Sequence, residues 1–126
     1  MQVSRGNVVV VAFGRRGSSA GEGGNGESAR HRPCLVVQND VGNDHSSTTV
    51  VVPLTTDFGP ERYPHEVVLE PQDSGLAEAA VALCSQPTTV EIERAIVEIV
   101  GSVPEPVLLD VDRALEYSLD LGGPLE

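Results

Sequence analysis

The sequence predicts a mainly β fold, a small, antiparallel, barrel-like arrangement of short strands that ends in one α-helix. Three observations support this prediction. Runs of β-branched residues recur at near-regular spacing, a Gly- and Ser-rich stretch separates the first two runs, and the hydrophobic period becomes helical after Pro104. At 126 residues the chain is predicted to form a single domain spanning 1–126, with one core.

The predicted strands share a short apolar run, rich in β-branched residues and bounded by turn residues. Along the chain they cover 7–13, 34–38, 47–54, 65–69, 81–84 and 96–103. The last of these is ambiguous between strand and helix, and its β-branched content favours a strand. Residues 14–31 are rich in Gly and Ser and predict a flexible loop, and NDVGND after the second strand predicts a turn.

The C-terminal region predicts a helix over about 104–120. Its apolar residues recur at helical spacing, at Val107, Leu108, Val111, Ala114, Leu115 and Leu119. Pro104 and Glu105 suit a first turn, and Gly122-Gly123-Pro124 suit a helix end. The apolar stripe of this helix must pack on a sheet or on a partner subunit.

The charge of the chain is strongly acidic, with a formal net charge of −11. All eight basic residues other than histidine are arginines, set against nineteen carboxylates, and Phe, Tyr and Trp together contribute only four residues. This composition is typical of a surface adapted to very high salt. The chain is therefore predicted to be halophilic, with a stability that increases between low and molar salt.

The arginines are unevenly distributed along the chain. Up to Pro33, five arginines stand against two glutamates, whereas from Cys34 onward three arginines stand against seventeen carboxylates. A locally basic segment on an acidic protein is a candidate anion site. A loop that happens to contain arginine would produce the same count.

Several classes of protein and site are excluded by what the sequence lacks. Cys34 and Cys84 lie inside apolar runs, which predicts buried free thiols rather than a disulfide framework. No apolar run approaches membrane-spanning length and the N-terminus lacks the apolar core of a signal peptide, so a soluble, cytoplasmic protein is expected. The sequence contains no phosphate-binding loop, HExxH or CxxC motif, and its three histidines are scattered, so neither a metal nor a cofactor is predicted.

One group of residues remains that suits chemistry on a phosphate. Arg32 lies at a predicted loop–strand junction, Glu27 precedes it in the same loop, and Thr55-Thr56 follow a predicted strand. Arginine presents a planar fork of donors to a phosphate, threonine donates a hydroxyl proton, and an ionised glutamate can accept a proton. These residues suit phosphodiester chemistry without a metal, and they equally suit a surface salt bridge and a strand-capping hydroxyl.

A series of segments then resembles the MazF/PemK family of toxin endoribonucleases. In order these segments read RHRPCLVVQNDVGN, STTVVVPLT, HEVVLEP, VALCSQPTTV and VDRALEYSLDL, and the resemblance runs from Arg5-Gly6 to Leu121. The resemblance implies a small SH3-like β-barrel with a C-terminal helix, a homodimer, and metal-independent cleavage of single-stranded RNA at short sequences. It also implies a cognate antitoxin whose C-terminal segment occupies the RNA groove.

The resemblance also implies a mechanism and its residues. The 2′-hydroxyl of the RNA attacks the adjacent phosphorus, so the enzyme supplies no nucleophile. Arg32 matches the arginine of the family's RP motif and would stabilise the charge on the phosphoryl oxygens, and Thr55 would bind the phosphate. Glu27 matches a loop glutamate and would be a base or an organiser of Arg32. The predicted substrate-binding residues are Arg30, His31, Gln38, Asn39, Thr56 and Gln86.

The sequence departs from the family pattern in two places. Ser28 replaces the glutamine that usually follows the loop glutamate, and the loop carries an added Gly-rich stretch around 17–26. Thr88 stands where family members commonly carry an arginine near the RNA. Two alternatives to an active ribonuclease therefore stay open. One is a non-catalytic module that binds antitoxin or RNA on the same fold, and the other is a CcdB-like inhibitor of DNA gyrase.

Overall fold

The computed structural model describes residues 1–14 and 30–121. The strands in these ranges are β1 (Asn7–Phe13), β2 (Arg30–Val36), β3 (Thr48–Thr55), β4 (Glu66–Leu69), β5 (Ala80–Leu83), β6 (Thr88–Glu91) and β7 (Ile96–Ser102). The helices are α1 (Asp40–His45), α2 (Pro71–Ser74), α3 (Ile92–Ala95) and α4 (Glu105–Leu119). The predicted fold class, mainly antiparallel β with a C-terminal helix, is confirmed.

The strands pair antiparallel in the order β4-β5-β3-β2-β1-β7. Strand β3 is long enough to serve two partners on one side, because its N-terminal half pairs with β6 and its last two residues pair with β5. Within the described ranges no ladder joins β4 to β7, so the strands do not complete the hydrogen-bonded ring of a closed barrel.

The start of β2 and the segment that follows this strand differ from the sequence prediction. Strand β2 begins at Arg30 rather than at residue 34, because β1 continues to pair with it as far as Phe13 opposite Arg30. Arg30 and His31 therefore belong to a strand and not to the predicted loop, whose residues 15–29 lie outside the described ranges. The predicted NDVGND turn is the short helix α1, because the Asn39 side chain caps it by accepting a hydrogen bond from the Gly42 N–H at 2.8 Å.

Two hydrophobic cores cover opposite faces of the sheet, because successive side chains of a strand alternate between its faces. Val8, Leu35 and Val52 belong to the core that α4 covers with Val111 and Ala114. The other face carries a second core whose members include Val9, Cys34, Val51 and Ile92. Fully burying one such Val or Leu side chain contributes about 1.5–3 kcal/mol relative to leaving it exposed.

Polar and close backbone contacts fix the ends of these layers. Arg5 ties the N-terminal segment to α4, since its Nε donates to the Val37 carbonyl at 2.9 Å and its guanidinium pairs with Asp112. Gly75 and Gly101 allow α2 to approach β7, because a Cβ built on Gly101 would lie 2.2 Å from the Ser74 carbonyl oxygen. No helix in the described part of the chain is long and apolar enough to cross a membrane.

Candidate functional site

Arg32 and Thr55 are brought together by the pairing of β2 with β3. The ladder between these strands ends at the pair Cys34–Pro53, two residues from both Arg32 and Thr55, and Arg32 and Thr55 line the same cleft. The half-buried Arg32 side chain also reaches β3, where its Nη2 donates to the Leu54 carbonyl at 3.4 Å, a long hydrogen bond. Strands β2 and β3 therefore bring the Arg32 guanidinium and the Thr55 hydroxyl to the wall of one cleft.

The Thr55 hydroxyl is oriented by the turn that follows β3. Its oxygen accepts a hydrogen bond from the Asp57 N–H at 3.0 Å, which is the geometry of a hydroxyl-capped turn. Its own proton points toward the Asp57 carbonyl at 3.4 Å, a contact long enough to be exchanged for a better acceptor. Thr55 can therefore donate to a phosphoryl oxygen without losing its anchor on the backbone.

Two clefts meet at Arg32. The first, which we call the aromatic cleft, has a volume of about 500 Å³ and is lined by Arg32, Thr55 and residues 57–63, together with Glu66 and the β5 residues Val81 and Leu83. The second, which we call the basic cleft, has a volume of about 390 Å³. Its lining residues come from β1, β2, β3 and the segment before and at the start of β6, and include Arg30, Arg32, Gln86 and Thr88.

The loop between β3 and β4 forms the outer wall of the aromatic cleft. The Arg62 guanidinium lies 4.7 Å from the centre of the Phe58 ring, and its Nη2 donates to the Gly59 carbonyl at 2.7 Å. Its Nη1 lies 3.4 Å from Glu66 Oε1, so the loop is tied to the start of β4. The Tyr63 and His65 rings are nearly parallel, with their centroids 5.9 Å apart.

Sequence reasoning missed the aromatic residues of this site. The chain has only four Phe and Tyr residues, and three of them, Phe13, Phe58 and Tyr63, line the two clefts. Arg62, which is one of the three arginines after Pro33, lies in the same loop. The signal was present in TDFGPERYPH, where two scarce aromatics and a scarce arginine occur together between two strands.

The predicted substrate-binding residues fall into two groups. Arg30 and Gln86 line the basic cleft. His31 is exposed and belongs to the opposite face of β2 from Arg30 and Arg32, because strand side chains alternate. Thr56 is exposed and is not among the residues that line either cleft.

Gln38 and Asn39 lie beyond the other end of β2 from Arg32. Gln38 Nε2 donates to Asn43 Oδ1 at 3.0 Å and to the Thr48 carbonyl at 3.1 Å, and Asn39 caps α1. Both side chains therefore have hydrogen-bonding roles at α1, and neither lines a cleft.

Glu27, the predicted base, and Ser28 lie outside the described residues. Within the residues that are described, no group of three or more His, Cys, Asp or Glu side chains could hold a metal ion. Burial raises the pKa of the Cys34 thiol from 9.0 to about 12, an effect that the positive charge of Arg32 only partly opposes. Burial also raises the pKa of Cys84 to about 12, so both thiols stay protonated near neutral pH and neither is an activated nucleophile.

Comparison with known proteins identifies a matching family and similar folds. Residues 4–119 match the family model described as PemK-like, MazF-like toxin of type II toxin-antitoxin system. The chain is 32% identical over 92 residues to the endoribonuclease MazF of Staphylococcus epidermidis, covering 73% of this chain and 76% of that protein. It is 31% identical over 90 residues to the endoribonuclease EndoA of Bacillus subtilis, covering 71% and 77% respectively.

Solved structures share the fold at lower identity. A MazE–MazF structure from Deinococcus radiodurans superimposes with a TM-score of 0.72 at 22% identity and covers 95% of this chain and 98% of that chain. A mycobacterial endoribonuclease, solved in complex with its cognate antitoxin, gives a TM-score of 0.71 at 23% identity and covers 97% and 99%. At 22% and 23% identity, these similarities show that the fold is shared and nothing more.

Proposed function

The chain belongs to the family of PemK-like, MazF-like toxins of type II toxin–antitoxin systems, and from this premise we propose that it is a sequence-specific, metal-independent endoribonuclease that cleaves single-stranded RNA. The observation that carries this proposal is that Arg32 and Thr55 line one cleft, and that Arg32 also lines the second. A guanidinium and a neutral hydroxyl donor side by side can bind two non-bridging oxygens of one phosphate.

The proposed reaction uses the RNA as its own nucleophile. The 2′-oxygen forms a bond to the adjacent phosphorus, the bond from phosphorus to the 5′-oxygen breaks, and the products carry a 2′,3′-cyclic phosphate and a 5′-hydroxyl. A base takes the 2′-hydroxyl proton and a donor protonates the leaving 5′-oxygen. Arg32 and Thr55 stabilise the charge that grows on the phosphoryl oxygens, and Glu27 is the proposed base or the residue that orients Arg32.

The basic cleft is the proposed path of the RNA next to the scissile phosphate. Arg30 and Gln86 line it beside Arg32, which supports their proposed substrate-binding roles. His31, Gln38, Asn39 and Thr56 remain predictions as substrate-binding residues, without support from the lining of either cleft.

The proposed partners follow from the same family. We propose a homodimer and a cognate antitoxin that inhibits the enzyme, as the MazE–MazF structure of Deinococcus radiodurans and the antitoxin complex of the mycobacterial endoribonuclease suggest. We also propose that the protein acts in the cytoplasm, where an RNA substrate is accessible.

A second candidate function is a non-catalytic module that binds RNA or antitoxin. The observation in its favour is that Thr88, which replaces a basic residue expected from the family, lines the basic cleft. Its hydroxyl donates to the Gln86 carbonyl at 3.1 Å and supplies no positive charge to the cleft. No feature of residues 1–14 and 30–121 favours the gyrase-inhibitor alternative in the same way.

An RNA cleavage assay tests the proposed function. Purified protein is incubated with unstructured RNA in molar salt with EDTA, and the ends of the products are analysed. Molar salt suits a protein of charge −11, because the Debye length of about 3 Å at 1 M screens its repulsion of RNA. The wild type should produce cyclic-phosphate ends, and Arg32→Ala should lose about 10²–10³ in rate.

Arg94→Ala is the matched control for this assay. Arg94 lies on α3, its side chain is 83% exposed, and it contacts the Glu91 carboxylate rather than either cleft. This variant should cleave like the wild type. Absence of cleavage by the wild type at every salt concentration would exclude the ribonuclease and favour the binding module.

A further inference from the structure

We infer that the aromatic cleft binds one base of the RNA and selects guanine through the Glu61 carboxylate, while the phosphate backbone follows the basic cleft. This inference rests on the proposed function, since it assigns the RNA to the same site.

The two clefts have different charges although they share Arg32. The described lining of the basic cleft contains Arg30 and Arg32 and no carboxylate. The aromatic cleft contains Arg32 and Arg62 but also the three carboxylates of Asp57, Glu61 and Glu66. Carboxylates repel a phosphate but not a neutral base. An RNA strand bound at Arg32 therefore avoids repulsion between its phosphates and these carboxylates when its backbone lies in the basic cleft.

Aromatic rings make the aromatic cleft suitable for a base. Phe58 is 37% exposed and Tyr63 is 54% exposed, so both present ring surface to a ligand. Arg62 packs on one side of the Phe58 ring, and the His65 ring stacks on Tyr63. Both rings are therefore held in place before a base binds, and binding loses little side-chain entropy. Stacking on aromatic side chains is the usual way in which proteins hold unpaired bases, and it accepts any base.

Glu61 is an exposed carboxylate that lies beside the Tyr63 ring and can select among the bases. The side chain of Glu66 is only 16% exposed, and its Oε1 faces Arg62 and the Tyr63 N–H, which lie at 3.4 and 3.3 Å. Glu61 is exposed, and Arg62 contacts it through its backbone carbonyl rather than its carboxylate. Its Oε1 lies 3.5 Å from the Tyr63 hydroxyl, at the edge of the ring on which a base would stack.

A carboxylate beside a stacked base favours guanine. An ionised carboxylate only accepts hydrogen bonds, and its two oxygens can accept two parallel ones. Guanine is the one common base whose Watson–Crick edge presents two adjacent donors, N1–H and the N2 amino group. Adenine and cytosine place an acceptor next to their donor, and uracil places its donor between two carbonyl oxygens, which a carboxylate repels.

A binding measurement tests this inference without requiring cleavage. The ligands are labelled single-stranded pentanucleotides with 2′-fluoro sugars, which lack the attacking hydroxyl, with uracil at four positions and a variable central base. Affinity is measured by fluorescence anisotropy in molar salt. Guanine at the centre should bind about tenfold more tightly than uracil, adenine or cytosine. Inosine, which lacks the N2 amino group, should lose most of this gain.

Two variants with the same change in charge complete the test. Glu61→Gln should bring the guanine and inosine ligands to nearly equal affinity, because an amide cannot accept two parallel hydrogen bonds. Glu78→Gln, at an exposed position outside both clefts, should keep the wild-type preference. Because Glu61 is exposed, both variants are expected to fold, and thermal unfolding checks this.

The outcomes separate this inference from the proposed ribonuclease. Equal affinity for all bases, or an unchanged guanine preference in Glu61→Gln, would overturn the inference even if the wild type cleaves RNA. A guanine preference that depends on Glu61 would support the inference even if the wild type cleaves nothing, in which case only the ribonuclease would fail. Absence of binding to every pentanucleotide would overturn the inference.

Discussion

Replacing Thr55 by valine should slow RNA cleavage far more than it destabilises the protein. Valine has nearly the shape of threonine, so the change removes the hydroxyl and little else. In the folded protein this hydroxyl accepts one hydrogen bond, from the Asp57 N–H at 3.0 Å in a solvent-accessible turn. Losing such a bond costs about 0.5–1.5 kcal/mol of the free energy of unfolding, at the low end here because water can replace the acceptor.

The loss of transition-state stabilisation should be larger than this loss of stability, because the hydroxyl donates a hydrogen bond to a phosphoryl oxygen on which charge develops in the transition state. Removing one donor of this kind lowers kcat by about 10²–10³, which corresponds to about 2.7–4 kcal/mol. The measurement is kcat on a fluorogenic single-stranded RNA in molar salt, together with urea unfolding of the same preparation. Thr55→Ser keeps the donor and should recover most of the rate.

Thr89→Val is the matched control, since it removes the same group from an exposed residue of β6 that lines neither cleft. It should stay within about threefold of the wild-type kcat, an effect below about 1 kcal/mol. The catalytic role of Thr55 would be refuted if Thr89→Val lost as much rate as Thr55→Val, or if Thr55→Val cleaved at the wild-type rate.

Four further predictions concern stability and reactivity. Gly101→Ala should lower the free energy of unfolding by about 1–3 kcal/mol, because its Cβ would lie 2.2 Å from the Ser74 carbonyl oxygen. Gly59→Ala is the control and should not destabilise the protein, because its Cβ would meet nothing within 4 Å. Equal urea midpoints for the two variants would contradict this prediction. Cys34 and Cys84 should resist alkylation at pH 8 in the native state and react once the protein is unfolded in urea, since burial raises the pKa of each to about 12. By the same shift, the free energy of unfolding should fall as the pH rises from about 9 toward 12, because the unfolded thiols ionise first; a flat profile in that window would argue against it. The free energy of unfolding should also increase between low and molar salt, because salt screens the repulsion within a chain of charge −11. A decrease in the thermal unfolding temperature over that range would contradict the halophilic prediction.

The periodic segments were predictable because their local pattern and their packing agree. β1 covers 7–13 as predicted, since its β-branched residues suit a strand that is buried on both faces. α4 was predicted from its apolar stripe and covers Glu105–Leu119. β6 was missed because two of its four residues are exposed threonines, and its strand conformation depends on the ladder with the first half of β3.

The candidate site was only partly predictable. Arg32 and Thr55 could be named from the sequence through the family resemblance, and the structure adds that both line one cleft near the end of the ladder between β2 and β3. Gln38 and Asn39 belong to the same quoted motif as Arg32 but lie at the other end of β2, at the cap of α1. Adjacency in a motif does not imply adjacency in space along an extended strand, which rises about 3.3 Å per residue.

The sequence by itself determined the class of fold, the strands with strong β-branched runs, the terminal helix and the candidate phosphate-binding pair. These properties depend on side-chain period and residue type, which are local. Only the tertiary structure decided that Arg32 joins two clefts, and that Phe58, Tyr63 and Glu61 form the wall of one of them. Those positions depend on strand register and on a loop held by Arg62, which are contacts between distant or irregular segments that no local pattern records.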